Sequence, residues 1–266
     1  MFTFSKFSKK LAVFMAVGVL AVGLAGCGSD TKQAQPEKVL RVGSETTFPP
    51  FEFVEKDKYV GFDVELSEAI AKKLGYKMEF VSMGFDALIP AIQTDHIDMI
   101  AAGINATPER AKAIIFSDIY YKDGGYIIIA KKDNTTFSNL DSLANKTIAA
   151  QIGTVPVDLA KSVPGSTTKE LDSNSQIFME LQAGTVDAAI MDTAVAKYYL
   201  KQGADKDLKL VGEPMQAEGV VLGFKKDNTK LRDDVNKALK ELKEDGTYKK
   251  LYEKWFGPYE GSKSAQ

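Results

Sequence analysis

The sequence contains only one cysteine and one histidine among 266 residues. A single cysteine excludes an internal disulfide framework, and one Cys with one His makes no metal-ligand cluster, so we expect neither a metal nor a cofactor. Basic residues are not in excess, since 34 Lys and Arg stand against 36 Asp and Glu, and we expect no nucleic-acid partner. The longest apolar run, Leu11 to Leu24, contains two glycines and does not reach the roughly 20 residues that a membrane-spanning helix needs.

The first 38 residues have the composition of a secretion signal followed by a tether. Three lysines precede the apolar run, and Leu24-Ala25-Gly26 precedes Cys27, where small residues mark a cleavage point. Cys27 stands where a bacterial lipobox places the lipidated residue; the alternative is a chance cysteine beside a plain signal peptide. We predict a lipoprotein signal peptide over 1–26 and a flexible tether over 27–38. The protein would then be exported and lipid-anchored to the outer face of the bacterial cytoplasmic membrane, or face the periplasm.

Beyond the tether about 220 residues remain, which is enough for two lobes with their own cores. Residues 39–42 have the pattern of a strand and residues 62–74 that of an amphipathic helix, and this alternation begins again after residue 125. The pair Pro49-Pro50 predicts an irregular loop after the first strand. The pattern therefore predicts two α/β units in tandem, each with a mainly parallel sheet covered by helices on both faces.

The pattern also predicts strands over 97–102 and 220–224. The chain closes with two predicted helices separated by Gly246, and we expect the aromatic residues of the second helix to pack in the core.

The stretch Thr107-Pro108-Glu109-Arg110 predicts a helix start that carries an unusual cation. Thr107 suits the N-cap and Pro108 the first helical position. Arg110 is disfavoured in the first turn because the helix dipole is positive there. Such a cost suggests a use, since a guanidinium and first-turn N–H groups can converge on one carboxylate. The alternative is a solvated surface arginine.

Polar and aromatic residues gather at the carboxyl ends of the predicted strands, where ligands bind in open α/β sheets. Together they suit an amino acid: donors for its carboxylate, an acid for its ammonium group, aromatic rings for its side chain and polar groups for the side-chain tip. In that order the residues are Arg110, Asn105 and Thr154; Asp192; Phe48 and Phe85; and Glu45 and Gln151.

Each of these residues also has a purely structural alternative. Asp192 and Thr154 could cap the helices that follow them, as Asp86 is expected to do for its own helix. Glu45 could be a solvated loop acid and Phe85 a core residue.

Several motifs occur in a fixed order along the chain. They are the lipobox, Thr-Phe-Pro-Pro-Phe-Glu-Phe at 47–53, Gly-Phe-Asp-Val at 61–64, Phe-Asp-Ala-Leu-Ile-Pro at 85–90, Thr-Pro-Glu-Arg at 107–110, Asp-Gly-Thr-Tyr at 245–248 and Trp-Phe-Gly at 255–257. With them, the chain from about residue 39 to 257 resembles the polar-amino-acid solute-binding proteins of ABC importers, which include the glutamine-, arginine- and lysine/arginine/ornithine-binding proteins.

This resemblance implies an α/β fold of the periplasmic-binding-protein type II class, with two lobes, two hinge strands and the ligand in the cleft. Lobe 1 would comprise 39–119 and 221–259, lobe 2 would comprise 125–215, and the hinge would comprise 120–124 and 216–220.

The resemblance also implies roles for individual residues. Arg110 matches the carboxylate-binding arginine, Asp192 the ammonium-binding aspartate, Phe48 and Phe85 the aromatic walls, Ala102, Gly103 and Asn105 the loop at the α-groups, and Thr154 the contribution from lobe 2. The chain departs from the glutamine-binding protein where Gln151 replaces a lysine and Met191 a histidine. Without that lysine an ionised Glu45 lacks a partner in a closed cleft, which favours arginine or lysine over glutamine as the ligand.

The expected function is delivery of an amino acid to the transmembrane subunits of an ABC permease by a monomeric, non-enzymatic protein that closes on its ligand. One alternative is an enzyme on the same fold, such as a cyclohexadienyl dehydratase. The sequence offers no nucleophile–base pair for it, and the lone histidine, His96, suits a structural or exposed position. The other alternative is a lipid-anchored amino-acid receptor or adhesin.

Overall fold

The structure, a computed structural model, describes residues 38–122 and 124–259. The predicted signal peptide, Cys27 and all but the last residue of the predicted tether lie outside these ranges. The strands are β1 (Val39–Ser44), β2 (Thr47–Phe48), β3 (Glu52–Glu55), β4 (Lys58–Val60), β5 (Lys77–Ser82), β6 (Met99–Ile100), β7 (Ile114–Phe116), β8 (Tyr126–Lys131), β9 (Thr147–Gln151), β10 (Thr167–Leu171), β11 (Ala188–Asp192), β12 (Leu208–Met215) and β13 (Gly223–Lys225). The helices are α1 (Phe62–Leu74), α2 (Leu88–Gln93), α3 (Pro108–Ala111), α4 (Val155–Ser162), α5 (Asn174–Ala183), α6 (Thr193–Lys201), α7 (Thr229–Glu244) and α8 (Thr247–Phe256).

Two mixed sheets of five strands organise the fold. The first has the order β5-β1-β6-β13-β7 and the second the order β10-β9-β11-β8-β12. Parallel pairing joins β5, β1 and β6 in one sheet and β10, β9 and β11 in the other. Strands β13 and β8 run antiparallel to both of their neighbours. Each of these two strands is the first that the chain enters after passing from one sheet to the other. Each sheet is therefore mainly parallel, as predicted, and contains one strand that runs against the others.

The helices form where the apolar period is close to 3.6 residues. Helix α1 buries Phe62, Leu66 and Ile70 on one face and ends at Gly75, whose φ of 72° is left-handed and favours glycine. Helices α7 and α8 pack against α1 on the same side of the first sheet. The predicted C-terminal helical pair is therefore confirmed.

The predicted loop after β1 is wrong in part. The two prolines occupy only a tight turn, and the residues around them form a three-stranded antiparallel sheet, β2-β3-β4. Thr47 pairs with Phe53 and Phe48 with Glu52, on either side of that turn. Proline interrupts pairing only where its missing N–H is needed, and here both prolines lie outside the ladder.

Smaller differences concern the ends of elements. The strand predicted over 97–102 is reduced to β6, the strand predicted over 220–224 begins only at Gly223, and β7 and β10 were not predicted. Asp86 does not cap a helix, because residues 85–87 form a 3₁₀ turn and α2 begins after Ala87 without a side-chain cap.

The two chain segments that connect the sheets lie side by side. The Tyr120 N–H donates to the Val220 carbonyl at 3.0 Å, and the Val220 N–H donates to the Tyr121 carbonyl at 2.8 Å. The ring of Tyr121 packs on those of Phe51 and Phe256, with centroids 5.0 and 4.6 Å away. The aromatic residues of α8 thus pack in the core around these segments, as predicted.

Within the described ranges, none of the helices has both the length and the apolar content that crossing a bilayer requires.

Candidate functional site

A cavity between the carboxyl ends of the two sheets collects every residue that the sequence nominated for ligand contact. It encloses about 490 Å³ of atom-free space, part of which is open to solvent. The nominated residues in its lining are Glu45, Phe48, Phe85, Ala102, Gly103, Asn105, Arg110, Gln151, Thr154 and Asp192. Glu52, Tyr126, Val155, Pro156, Asn174, Ile190 and Met191 complete it.

Arg110 is held in the cavity wall by a short, well-capped helix. Thr107 is the N-cap of α3 and its hydroxyl accepts the Arg110 N–H at 3.2 Å, while Pro108 occupies the first turn. The guanidinium donates to the Asn105 carbonyl at 2.8 Å and to the Gly153 carbonyl at 3.0 Å. Only 9% of Arg110 is exposed, and burial lowers the pKa of its guanidinium. The surface-arginine alternative is therefore wrong.

Asp192 ends β11 in the second sheet and also caps the next helix. Its Oδ1 accepts the Ala194 N–H at 2.8 Å, so the capping alternative is correct. The same side chain lines the cavity with 7% of its surface exposed. Burial raises the pKa of the carboxyl to about 6, against the lowering effect of the backbone bonds from Ala194 and Val195. The negative charge of Asp192 is thus held in a place that destabilises it until a cation arrives.

Glu45 follows β1 and is buried, with 6% exposed, so the solvated-acid alternative is wrong. Its Oε1 accepts the Thr47 hydroxyl at 2.8 Å, whereas Oε2 is buried and has no hydrogen-bond partner. Burial raises the pKa of this carboxyl, and the neighbouring Thr47 and Gln151 side chains oppose that shift. Gln151 is itself fixed, since its amide donates to the Asp172 carbonyl and accepts from Asn174.

Aromatic walls and a glycine shape the remaining surface. The Arg110 guanidinium lies over the Phe85 ring, 5.2 Å from its centroid, so Phe85 belongs to the site and not only to the core. Gly103 has a φ of 58°, and a Cβ there would lie 2.4 Å from Cε1 of Phe48. Glycine at this position lets the loop after β6 approach the Phe48 ring.

The side chains of Asn105 and Thr154 also make hydrogen bonds within the protein. The Asn105 amide donates to the Gly219 carbonyl at 3.0 Å, and its oxygen accepts the Tyr126 hydroxyl at 2.8 Å. Thr154 occupies the N-cap position of α4, as its alternative states, but its hydroxyl donates to the Gln151 carbonyl at 2.6 Å and makes no cap bond. Asn105 thus stabilises the wall with its side chain and holds Arg110 with its carbonyl.

Comparison with known proteins places this geometry in a family. The sequence profile of the bacterial extracellular solute-binding proteins, family 3, matches residues 40–258. The chain belongs to this family.

Relatives of this solute-binding protein carry names that agree with the family. The arginine-binding extracellular protein ArtP of Bacillus subtilis (strain 168) is 35% identical over 253 residues, covering 93% of this chain and 98% of that protein. A solved ancestral arginine-binding protein bound to arginine is 45% identical, with a TM-score of 0.80, covering 83% of this chain and 99% of its own. An ancestral arginine-binding protein bound to glutamine is 44% identical, with a TM-score of 0.78, covering 84% and 100%. The fold of this solute-binding protein is that of periplasmic-binding-protein type II structures, and all three relatives are named as binding proteins.

Hydrogen bonds join the two walls of the cavity directly in this solute-binding protein. Arg110 reaches the carbonyl of Gly153, and the Asn174 N–H donates to the Thr47 hydroxyl at 3.1 Å. Both bonds connect residues that follow strands of different sheets. The two walls therefore lie close enough together for residues of both to contact a single small molecule.

Sequence reasoning missed several lining residues for identifiable reasons. Glu52 lies inside a motif that was interpreted as a loop, and its place at the start of β3 fixes its direction. Asn174 lies at the first position of α5, after the capping Ser173, which is a recognisable helix start. Tyr126 and Ile190 belong to apolar strands, where sequence alone does not separate cavity lining from core.

In the part of the chain that the structure describes, no cluster of three or more His, Cys, Asp or Glu is arranged to hold a metal ion.

Proposed function

We propose that this protein binds a free amino acid in the cavity and delivers it to an ABC permease. The observation that carries the proposal is that Arg110 and Asp192, from different halves of the fold, line the same cavity. A guanidinium satisfies a carboxylate by paired charge-assisted hydrogen bonds, and a buried carboxylate satisfies an ammonium group. An α-amino acid carries both groups on the same carbon atom.

The ligand that we propose has a cationic side chain, with arginine or lysine ahead of glutamine. Three carboxyls line the cavity, those of Glu45, Glu52 and Asp192, against the single guanidinium of Arg110. The second oxygen of Glu45 is buried without a hydrogen-bond partner, and a ligand cation would provide one. Two of the relatives support this choice by name, and the relative solved with glutamine shows why a direct comparison is needed.

Competitive calorimetry on the purified protein tests the ranking. We expect L-arginine to displace glutamine and to bind at least tenfold tighter. We expect Glu45→Gln to weaken arginine more than glutamine, because it removes the proposed partner of the side-chain cation. The exposed acid Glu79 gives the control, and Glu79→Gln should change neither affinity. Tighter binding of glutamine than of arginine by the unmodified protein would reject the ranking.

We propose delivery by hinge closure. The residues proposed as lobes, 39–119 with 221–259 and 125–215, would separate when the cavity is empty and close on the ligand, since only the closed form makes contacts from both walls. The closed monomer would then dock on the permease. Small-angle scattering should show a smaller radius of gyration with arginine than without it, and an unchanged radius would contradict closure.

We propose that the protein reaches this permease while anchored through Cys27. Metabolic labelling with a radioactive fatty acid in a bacterial host should label the protein, and Cys27→Ala should abolish the label and release the protein from membranes. A labelled Cys27→Ala variant would reject this site.

We propose binding without chemistry as the role of the cavity. Prolonged incubation with prephenate should leave it unchanged beyond the rate in buffer, and arginine should be recovered intact from the complex. Turnover of prephenate would revive the dehydratase alternative.

A further inference from the structure

Two buried acids, Glu52 and Asp63, lie side by side at the wall of the cavity. Glu52 is fully buried, both of its carboxyl oxygens lack a hydrogen-bond donor, and it lines the cavity. Asp63, on α1, is also buried and faces Glu52 closely enough for the two carboxyls to act as hydrogen-bond partners. Two ionised carboxylates would repel one another there, so without a nearby cation the pair must hold a proton.

The hydrogen bonds around Asp63 locate that proton. Its Oδ2 accepts the Gly103 N–H at 3.0 Å and the Tyr120 hydroxyl at 2.6 Å, whereas its Oδ1 has no donor. Two donors favour the ionised form of Asp63. A protonated Glu52 would donate to Oδ1 of Asp63, which satisfies both the free oxygen and the buried Glu52.

The surroundings of Glu52 are otherwise acidic or neutral. Burial raises the pKa of the Glu52 carboxyl most, followed by the charge of Asp63. The charges of Glu45, in the loop after β1, and of Asp192, at the end of β11, raise it further. Behind the pair, Tyr248 from α8 donates its hydroxyl to the Tyr120 carbonyl. The guanidinium of Arg110 belongs to the same lining and is already bonded to two carbonyls.

We propose that Glu52 is a specificity-determining residue: it keeps its proton while the cavity holds no side-chain cation, and releases that proton when a ligand with a cationic side chain enters. The O–H bond of Glu52 breaks, the proton passes to solvent, and the carboxylate that remains balances the ligand's extra charge. This inference rests on the proposed binding of an amino acid, and it adds that ligand charge is recognised through proton release. A ligand with a neutral side chain leaves Glu52 protonated.

Calorimetry in two buffers tests the proposal on the purified protein. At pH 7.5 arginine is titrated in phosphate and in Tris, which differ in the heat that they exchange with a released proton. We expect different apparent enthalpies, corresponding to at most one proton released per arginine bound. Citrulline, which replaces the guanidinium with a neutral urea group, should give equal enthalpies in both buffers. Because release favours binding at higher pH, arginine affinity should also rise between pH 7 and 8, by at most about tenfold.

Variants separate Glu52 from other acids. Glu52→Gln should retain arginine binding at reduced affinity and lose the difference between buffers, since an amide has no proton to release. Glu55→Gln changes an exposed acid on the same strand and should retain the difference. Circular dichroism and a thermal melt establish that each variant folds; if Glu52→Gln does not, the wild-type titrations decide alone.

The outcomes are distinct. Arginine binding with equal enthalpies in the two buffers overturns the inference and leaves the proposed function intact. Equal proton release by citrulline and arginine, or proton release that persists in a folded Glu52→Gln variant, also overturns it. Absence of binding by arginine, lysine and glutamine alike rejects the proposed function itself.

Discussion

The proposed recognition of a carboxylate depends on Arg110, whose buried guanidinium lies in the first turn of a helix. The Asn105 carbonyl and the Phe85 ring, both from the same half of the fold, fix the direction of Arg110 before a ligand arrives. The Gly153 carbonyl adds a bond from the other half. Arg110→Ala should weaken arginine binding by about 2–5 kcal/mol, roughly 30-fold to several thousand-fold, because the ligand carboxylate would lose its partner in a closed site. Isothermal titration calorimetry measures the loss.

Arg232 provides the matched control for this substitution. It pairs with the neighbouring Asp233 on α7 and does not line the cavity. Arg232→Ala should leave the affinity within about twofold of the wild type, since exposed ion pairs contribute little. Micromolar affinity retained by Arg110→Ala would contradict the assigned role of Arg110.

The pKa of Asp192 gives binding a pH dependence that can be worked out in sign. In the folded protein, with the two walls of the cavity in contact, this pKa is about 6, above its usual value of 3.8, because burial disfavours the charge. The contribution of Asp192 to stability is therefore fully present below pH 3.8 and is lost as pH rises through 6. Ligand binding has the opposite sign because the ammonium group needs the carboxylate. Citrulline affinity should be nearly constant above pH 7 and fall by up to about tenfold per unit below pH 6.

Titrations of citrulline at pH 5, 6, 7 and 8 check this expectation. Citrulline is the suitable ligand because its neutral side chain leaves the proton of Glu52 in place. Equal affinities at pH 5 and 7 would contradict the assignment of Asp192 to the ammonium group.

At the scale of elements, the loop after β6 must approach an aromatic wall. Gly103→Ala would both strain a left-handed backbone and push a methyl group into the Phe48 ring. Gly75→Ala has the same kind of strain, with a φ of 72°, but nothing lies within 4 Å of its Cβ position. Both variants should lose about 1–2 kcal/mol of unfolding free energy, and only Gly103→Ala should also lose arginine affinity.

Denaturant unfolding and calorimetry on the two glycine variants measure these effects separately. A Gly103→Ala variant that binds arginine as tightly as Gly75→Ala would mean that the contact between the loop and Phe48 does not shape the site.

Helices and strands with a regular spacing of apolar residues could be predicted from the sequence. Elements that form only by pairing with another strand could not. Helix α1 has apolar residues on one face and a glycine at its end, so local pattern determines it. Strand β10 reads Thr-Thr-Lys-Glu-Leu and is at the edge of the second sheet, where its pairing with β9 compensates for a weak pattern. The small β2-β3-β4 sheet was missed because two prolines suggested a loop.

The candidate site shows the same division. Arg110 and Asp192 could be found because each breaks a local expectation or ends a buried strand, and the structure places both in one cavity. The place of Glu52 in the site could not be predicted, because it depends on the buried neighbour Asp63, which lies in a different element. The internal bonds of Asn105 likewise depend on Gly219 and Tyr126, which are distant in sequence.

For the whole molecule, the chain passes twice between two sheets whose carboxyl ends face one cavity. The two segments that connect the sheets are hydrogen-bonded to each other through Val220. The two halves are therefore joined at one side, and their other sides can meet around a ligand. The cavity walls already touch through the Asn174–Thr47 and Arg110–Gly153 bonds. A molecule that fills the cavity must therefore satisfy charged groups from both halves at once.

Calorimetric titration with L-arginine and with agmatine tests this central claim most directly. Agmatine keeps the guanidinium and the amine of arginine and lacks only the carboxylate that Arg110 is expected to bind. We expect arginine to bind at micromolar concentration or below and agmatine to bind at least about 100-fold more weakly. Agmatine binding as tightly as arginine would contradict that claim.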